Sequence, residues 1–213
     1  MDLFDNNNWE EKSKPLLEKY KGKKHPLDYK NLYQLLVMVV LSAQDSDANI
    51  NKIAPALFEI FPNMKTLSVS NTEALTPHIS KVRNFQTKAN WLIEIAQTIK
   101  SDQNIPLTMQ ALTALKGIGR KSANVIMRES NQPAEGIIVD LHVVRVAPRI
   151  GFATGTDAIK IEKQLMQIFD KQNWNQIGMA ISFLGRETCR PTNPKHNECP
   201  IKDHCQFHKN DPT

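Results

Sequence analysis

Two glycines separated by one apolar residue place the tightest constraint on how this chain folds. In the segment Leu115-Lys-Gly-Ile-Gly-Arg-Lys-Ser-Ala-Asn-Val-Ile126, helix-forming residues stand on both sides of Gly117 and Gly119. Glycine adopts backbone angles that other residues resist, and it lets the backbone approach a partner closely. The pattern therefore predicts a helix, a tight hairpin and a second helix.

The charge around this hairpin indicates what it binds. The first N–H groups of a helix have no partner within the helix, and they favour an anion such as phosphate. Four cations stand near the predicted turn: Lys116, Arg120, Lys121 and Arg128. A Gly-x-Gly pattern alone also fits an ordinary turn between helices, but the cations favour a phosphate-binding hairpin.

The composition is that of a globular protein with room for one domain or two small ones. The 213 residues are 40% hydrophobic and 23% charged, and the net charge is +5, which weakly favours a polyanionic partner. No apolar run approaches the ~20 residues that span a bilayer, and the acidic, amide-rich N-terminus is unlike a secretory signal. We therefore expect a cytoplasmic, nucleoid-associated monomer with no membrane partner.

Hydrophobic periodicity predicts helices and no strands, so the expected fold class is all-α. Helices are expected on both sides of the hairpin, after Asp140, and over residues 9–20, 27–42, 47–61, 71–79, 84–99 and 174–185. Thr156 is expected to cap a further helix. Pro133 to Gly136 is expected to be a loop and is a candidate domain boundary.

The cysteines indicate a metal or cluster site near the end of the chain. All three lie within a polar tail: Cys189, Cys199 and Cys205. An odd number in a chain without an export signal argues against a disulfide framework. Three thiolates are one ligand short of a tetrahedral set, and His196, His204 and His208 are the candidates for the fourth. Zinc, an iron–sulfur cluster and unligated thiols remain open from spacing alone.

Four segments of the chain match the motifs of one enzyme family. They are the hairpin, Ile138-Val-Asp-Leu-His-Val-Val-Arg-Val146, Leu41-Ser-Ala-Gln44 with Asp47, and Gly185-Arg-Glu-Thr-Cys189 with the tail. Together they resemble the endonuclease III family of DNA glycosylases, which belongs to the helix-hairpin-helix superfamily of base-excision repair enzymes. The resemblance extends over nearly the whole chain from about Leu27 to Cys205.

The resemblance implies a reaction and the residues that perform it. Lys121 matches the family's catalytic lysine, and Asp140 matches its catalytic aspartate. The lysine attacks C1′ of a flipped nucleotide, displaces the base and forms a Schiff base, and β-elimination then cleaves the strand. We expect a DNA glycosylase with AP lyase activity, acting on double-stranded DNA that contains a damaged base, in particular an oxidised pyrimidine, or an abasic site.

DNA contacts follow from the same resemblance. The backbone of Gly117 and Gly119, with Arg120, is expected to hold a phosphate in a way that fixes register without reading sequence. Gln44 and Asn84 are expected to fill the gap left by the flipped base. The resemblance also implies two helical domains, a six-helix domain of residues 27–135 that carries the hairpin, and a second formed by 1–26 together with 136–213. The DNA is expected to lie in a cleft between them.

The tail departs from the family in one ligand. The family's loop has four cysteines spaced six, two and five, and here the second of them is His196, in the pattern Cys189-x6-His196-x2-Cys199-x5-Cys205. Imidazole replaces thiolate on iron in other iron–sulfur centres. A 4Fe–4S cluster held by these four residues is therefore expected, and a site that holds zinc or no metal is the alternative.

Two further departures concern substrate preference more than chemistry. Leu141 stands where the family usually has threonine after the aspartate. Arg83 and Asn84 stand where the family's second DNA-inserting loop usually has glycine and an apolar wedge.

Two other functions compete with the expected one. A monofunctional mismatch glycosylase of the same superfamily usually lacks a lysine at the position of Lys121. A non-catalytic helix-hairpin-helix module has no need of Asp140. Taken alone, Lys121 fits a simple phosphate contact and Asp140 a helix cap, but the two together favour catalysis.

Overall fold

In a computed structural model that describes residues 8–210, the chain folds into α-helices joined by short turns. The helices are α1 (Trp9–Lys19), α2 (Leu32–Leu41), α3 (Asp47–Ile60), α4 (Met64–Ser68), α5 (Thr72–Ile79), α6 (Phe85–Ile99), α7 (Met109–Thr113), α8 (Arg120–Glu129), α9 (Leu141–Ile150), α10 (Ala158–Ile168), α11 (Trp174–Glu187) and α12 (Gln206–Asn210). No strand occurs within residues 8–210, and the predicted all-α class is confirmed. None of the helices in this range is long and apolar enough to cross a membrane.

The chain divides into two compact units, each with its own apolar core. Residues 24–133 form one unit, which contains α2 to α8. Residues 1–23 and 134–213 form the other, in which α1 and α9 to α12 are described. In the first unit α6 packs against α2, α4 and α5, and in the second α11 packs against α1 and α9.

Helix α2 forms the centre of the first unit because it is apolar on every face. Tyr33 and all seven residues from Leu35 to Leu41 are buried. A helix that is apolar all round has to be covered on all sides, and α3, α6 and α8 pack against it. The hydroxyl of Tyr33 donates a hydrogen bond to the carbonyl oxygen of Phe61 at 2.8 Å.

Polar side chains set where most of the helices begin. Within residues 8–210, eight helices start at a residue whose side chain accepts a hydrogen bond from the first turn: Asn8, Asn31, Ser46, Asn63, Asn71, Thr108, Asp140 and Asp157. Such a cap typically stabilises a helix by about 1 kcal/mol. Helices α6, α8 and α11 instead follow Asn84, Gly119 and Asn173, and none of the three has a side-chain cap.

Several expected helix bounds are wrong, and local capping explains the differences. Helix α2 starts at Leu32, later than expected, because Asn31 caps it. Asp157 rather than Thr156 caps α10, since the carboxylate reaches the first-turn N–H. The short helix Met64–Ser68 was not expected, because five residues are too few to show a periodic pattern.

Helix α10 offers a matched test of the apolar core of the second unit. Ile161 is fully buried and Ile159, on the same helix, is 59% exposed. Ile161→Ala is expected to lower the free energy of unfolding by about 2–5 kcal/mol, and Ile159→Ala by less than about 0.5 kcal/mol. Urea denaturation followed by circular dichroism measures both. Equal losses in the two variants would contradict the assignment of the buried face.

Candidate active site

The hairpin between α7 and α8 requires glycine at its first glycine position. Gly117 has φ +78°, and a Cβ atom there would lie 2.5 Å from Cε3 of Trp91. Both the left-handed backbone and the contact with the indole exclude a larger residue. Ile118 between the two glycines is buried, and it anchors the turn.

The second glycine opens the helix that follows. Gly119 is the N-cap of α8, no side chain caps the helix there, and no atom lies within 4 Å of the position that a Cβ would take. A helix start without a side-chain cap suits an approaching phosphate.

The four cations near the hairpin have different surroundings. Lys116 forms an exposed ion pair with Glu94 at 3.0 Å, and Arg128 forms a half-buried pair with Glu129. Arg120 and Lys121 are exposed in the first turn of α8. Both side chains therefore lie at the helix end that follows the hairpin.

Gln44 and Asn84, both predicted to contact DNA, lie side by side on two neighbouring loops. The Asn84 amide Nδ2 donates to Oε1 of Gln44 at 3.4 Å, and both residues are exposed. Both also have left-handed backbones, with φ +59° at Gln44 and +56° at Asn84. Positive φ is uncommon for residues other than glycine, and it is found where surrounding bonds hold the chain in place.

Asp140 is the N-cap of α9, so its interpretation as a helix cap is correct for one of its two carboxylate oxygens. Oδ1 accepts hydrogen bonds from the backbone N–H groups of His142 and Val143, both at 2.9 Å. Oδ2 accepts from the hydroxyl of Ser182 at 2.6 Å and lies 3.5 Å from the guanidinium of Arg186. Donors on both oxygens fix the orientation of this carboxylate.

Ser182 and Arg186 were not identified from the sequence as partners of Asp140. Ser182 is 1% exposed and lies 42 positions away from Asp140 in the chain. A serine inside an apolar helix gives no local sign of such a partner. Arg186 follows one turn later on α11 and donates from Nε to the Ser182 hydroxyl at 3.3 Å, which orders the serine.

The predicted metal ligands gather around one cavity in the tail. Cys189, His196, Cys199, Cys205 and His208 all line it. Burial raises the pKa of the Cys199 thiol, and the nearby Cys205 and Cys189 raise it further. The imidazole rings of His196 and His208 stack with centroids 4.9 Å apart.

Two buried imidazole nitrogens at this cavity lack a partner. Within the described part of the chain, Nε2 of His196 and Nδ1 of His208 make no hydrogen bond. A buried polar atom left without a partner costs roughly 1–3 kcal/mol. Such atoms beside three thiols fit a site that binds a metal group.

Among residues 8–210, no three His, Cys, Asp or Glu side chains stand close enough together to hold a single metal ion.

Two arginines of α9 hold the tail in place. Arg145 donates to the carbonyl oxygens of Gly185 and Cys189 at 2.8 and 3.2 Å. Arg149 donates to those of Arg190 and Pro191 at 2.7 and 3.1 Å. The segment that starts at Cys189 is thereby bound to the helix that Asp140 caps.

An all-helical fold in which a glycine hairpin leads into an uncapped helix defines a helix-hairpin-helix protein. Residues 37–171 match the family model described as HhH-GPD superfamily base excision DNA repair protein, and the chain belongs to that family. It is an enzyme of base-excision repair, a DNA glycosylase and AP lyase, and the predicted enzyme class is confirmed.

Relatives named endonuclease III cover most of the chain. The protein of Synechocystis sp. is 33% identical over 87% of this chain and 86% of its own length. That of Rickettsia prowazekii is 36% identical over 86% and 87%. A solved structure of a trapped endonuclease III–DNA covalent intermediate is similar with a TM-score of 0.83 and 30% identity, over 93% of this chain and 94% of that one.

The contact between Gly117 and Trp91 can be tested against a second glycine of similar conformation. Gly155 has φ +81° with nothing within 4 Å of a Cβ, so Gly155→Ala meets only the cost of a left-handed backbone, about 1–2 kcal/mol. Gly117→Ala should add about 1–3 kcal/mol because the methyl group overlaps the indole. Urea denaturation measures both free energies of unfolding, and an equal cost would show that Trp91 does not confine the hairpin.

Proposed function

We propose that this chain removes oxidised pyrimidines from double-stranded DNA and cleaves the resulting abasic site, through a Schiff base on Lys121. The observation that carries this proposal is the position of Lys121. Its side chain is exposed in the first turn of α8, directly after the hairpin and beside backbone N–H groups that have no side-chain cap. A phosphate held there brings the sugar of a neighbouring nucleotide to the lysine.

The proposed reaction proceeds through one covalent intermediate. Neutral Nζ of Lys121 bonds to C1′, and the glycosidic bond breaks so that the base leaves with the electron pair and takes up a proton. Opening of the sugar ring gives the protonated Schiff base. Loss of the C2′ proton then expels the 3′ phosphate by β-elimination, and water releases the lysine.

Asp140 acts on the sugar in this proposal. Its charge stabilises the cation that develops at C1′, and it assists proton transfer. The α9 backbone, Ser182 and Arg186 keep its two oxygens in fixed directions. The hairpin backbone with Arg120 holds phosphate, and Gln44 and Asn84 occupy the gap that the flipped nucleotide leaves.

Borohydride trapping tests the nucleophile. The wild-type protein is expected to form a covalent adduct with abasic DNA when the Schiff base is reduced, and Lys121→Gln is expected to form none, because an amide nitrogen cannot make the imine. Lys160→Gln, an exposed lysine on α10, is the control and should trap as the wild type does. Gel electrophoresis reads the adduct, and undiminished trapping by Lys121→Gln would exclude its role.

We infer that the tail holds a 4Fe–4S cluster with Cys189, His196, Cys199 and Cys205 as its ligands. These residues line one cavity, and the unpartnered buried Nε2 of His196 is the supporting observation. When bound, such a cluster crosslinks a tail that has few apolar residues of its own to bury. Arg149 donates from Nη1 to Sγ of Cys189 at 3.6 Å, which would orient that sulfur.

The ligand assignment is tested by single histidine variants. His196→Ala is expected to lose the visible absorption of a cluster and its iron, whereas His204→Ala should keep both, since His204 is exposed and does not line the cavity. Absorption spectroscopy and iron, sulfide and zinc analysis of anaerobically purified protein give the result. Loss of the cluster in His208→Ala but not in His196→Ala would move the fourth ligand to His208. Wild-type protein that contains zinc instead of iron would overturn the cluster.

A further inference from the structure

Lys88 is a buried lysine to which neither the hairpin nor the proposed chemistry gives a role. It lies in the first turns of α6 and is 2% exposed. Lysine is almost never fully buried unless its charge is paired or hydrogen-bonded. Burial lowers the pKa of Lys88, and Asp45 opposes that shift.

The ammonium group of Lys88 is bonded to the end of α2. Its Nζ donates to the carbonyl oxygens of Leu41 and Ala43 at 2.7 and 2.6 Å. The last carbonyls of a helix have no partner within the helix, and a cation there also interacts favourably with the helix dipole. Gln44 follows directly, so Lys88 fixes the backbone from which Gln44 projects.

Asp45 joins this loop to the loop that carries Asn84. Oδ2 of Asp45 accepts from the backbone N–H of Arg83 at 2.8 Å. Oδ1 accepts from the side chain of Asn49 at 3.0 Å, and the same amide also donates to the carbonyl oxygen of Lys81 at 3.1 Å. Burial alone would raise the pKa of Asp45. The hydrogen bonds that the carboxylate accepts, of which the one from the Arg83 backbone contributes most, hold the pKa below its usual value.

These bonds act on two of the residues that have positive φ, Gln44 and Asn84. Gln44 and Asn84 contact each other through their side chains, and each stands next to a residue that Asp45 or Lys88 bonds. Asparagine adopts a left-handed backbone more readily than most residues, whereas at Gln44 such a backbone indicates that the surroundings hold it. Without Lys88, the carbonyls of Leu41 and Ala43 lose their donor, and the Gln44 loop is free to relax.

We propose that Lys88 is a positioning residue that holds Gln44 against Asn84 before DNA binds, so that the pair can enter the gap left by an extruded nucleotide. This role rests on the proposed function. Preorganisation contributes to affinity by removing an ordering cost from the binding step. Undamaged DNA has no such gap, and its binding depends chiefly on phosphate contacts. Lys88 is therefore expected to raise the affinity for damaged DNA relative to the affinity for undamaged DNA.

The test compares binding to two duplexes at one salt concentration. One contains a tetrahydrofuran abasic analogue, which cannot form a Schiff base, and the other is undamaged. Fluorescence anisotropy gives both dissociation constants. Lys88→Met, which keeps the apolar stem, is expected to lower the preference for the analogue about tenfold, as loss of a buried donor would, with affinity for undamaged DNA unchanged.

Two variants serve as controls for stability and charge. Tyr33→Phe also removes a buried donor to a backbone carbonyl, but at the other end of α2. Lys81→Met removes an exposed charge next to the same loops. Both are expected to keep the wild-type preference, and thermal melting shows whether Lys88→Met and Tyr33→Phe are comparably destabilised.

Three outcomes would overturn the proposal. They are an unchanged preference in Lys88→Met, an equal fall in affinity for both duplexes, and the same loss of preference in Tyr33→Phe. Borohydride trapping by Lys88→Met on abasic DNA is measured in parallel. If Lys88→Met still traps abasic DNA while its preference for the analogue falls, the effect is assigned to loop positioning. If the wild-type protein does not trap at all, the Schiff-base chemistry is refuted, and the role of Lys88 is not.

Discussion

The close approach of α11 to the segment around Asp140 is the contact on which the second unit depends. A Cβ at Gly178 would lie 2.6 Å from the carbonyl oxygen of Ile138, and one at Gly185 would lie 2.9 Å from Cβ of His142. Because both glycines lack that atom, the two backbones meet closely along the face that carries Ser182. The serine hydroxyl thus reaches Asp140 directly, and a site carboxylate is held by a packed helix and not by a loop.

Capping divides the helix starts of this chain into two groups. Where a side chain accepts a hydrogen bond from the first turn, the protein itself supplies the partner of that N–H group, and the cap stabilises the helix. Helices α6, α8 and α11 lack such a cap, and the first two begin beside Asn84 and Lys121, the residues proposed to meet DNA. Asp140 caps α9 with one oxygen, while its other oxygen accepts from Ser182.

The sequence predicts the parts of this molecule that local chemistry determines. The hairpin could be predicted because glycine, the neighbouring cations and the flanking helix formers are contiguous, and the all-α class because apolar spacing recurs over many turns. Ser182 and Lys88 could not, since their partners lie 42 and 47 positions away. A serine within an apolar helix and a lysine within an amphipathic one look ordinary until packing shows what they contact. The spacing of the cysteines and histidines in the tail predicts a set of ligands, but the stacking of His196 on His208 could not be predicted from that spacing.

Helix α9 connects the proposed chemistry to the proposed cluster site. Its first turn is fixed by the Asp140 carboxylate, and its later turns by Arg145 and Arg149, which donate to carbonyls of Gly185 on α11 and of the tail. A helix bonded near both ends can neither slide nor rotate without breaking several of these hydrogen bonds. The polar tail, which has little apolar surface of its own, therefore contributes to the orientation of Asp140 through α9. A cluster bound as proposed would crosslink the tail and so support the orientation of Asp140 from a place where no chemistry on DNA is proposed.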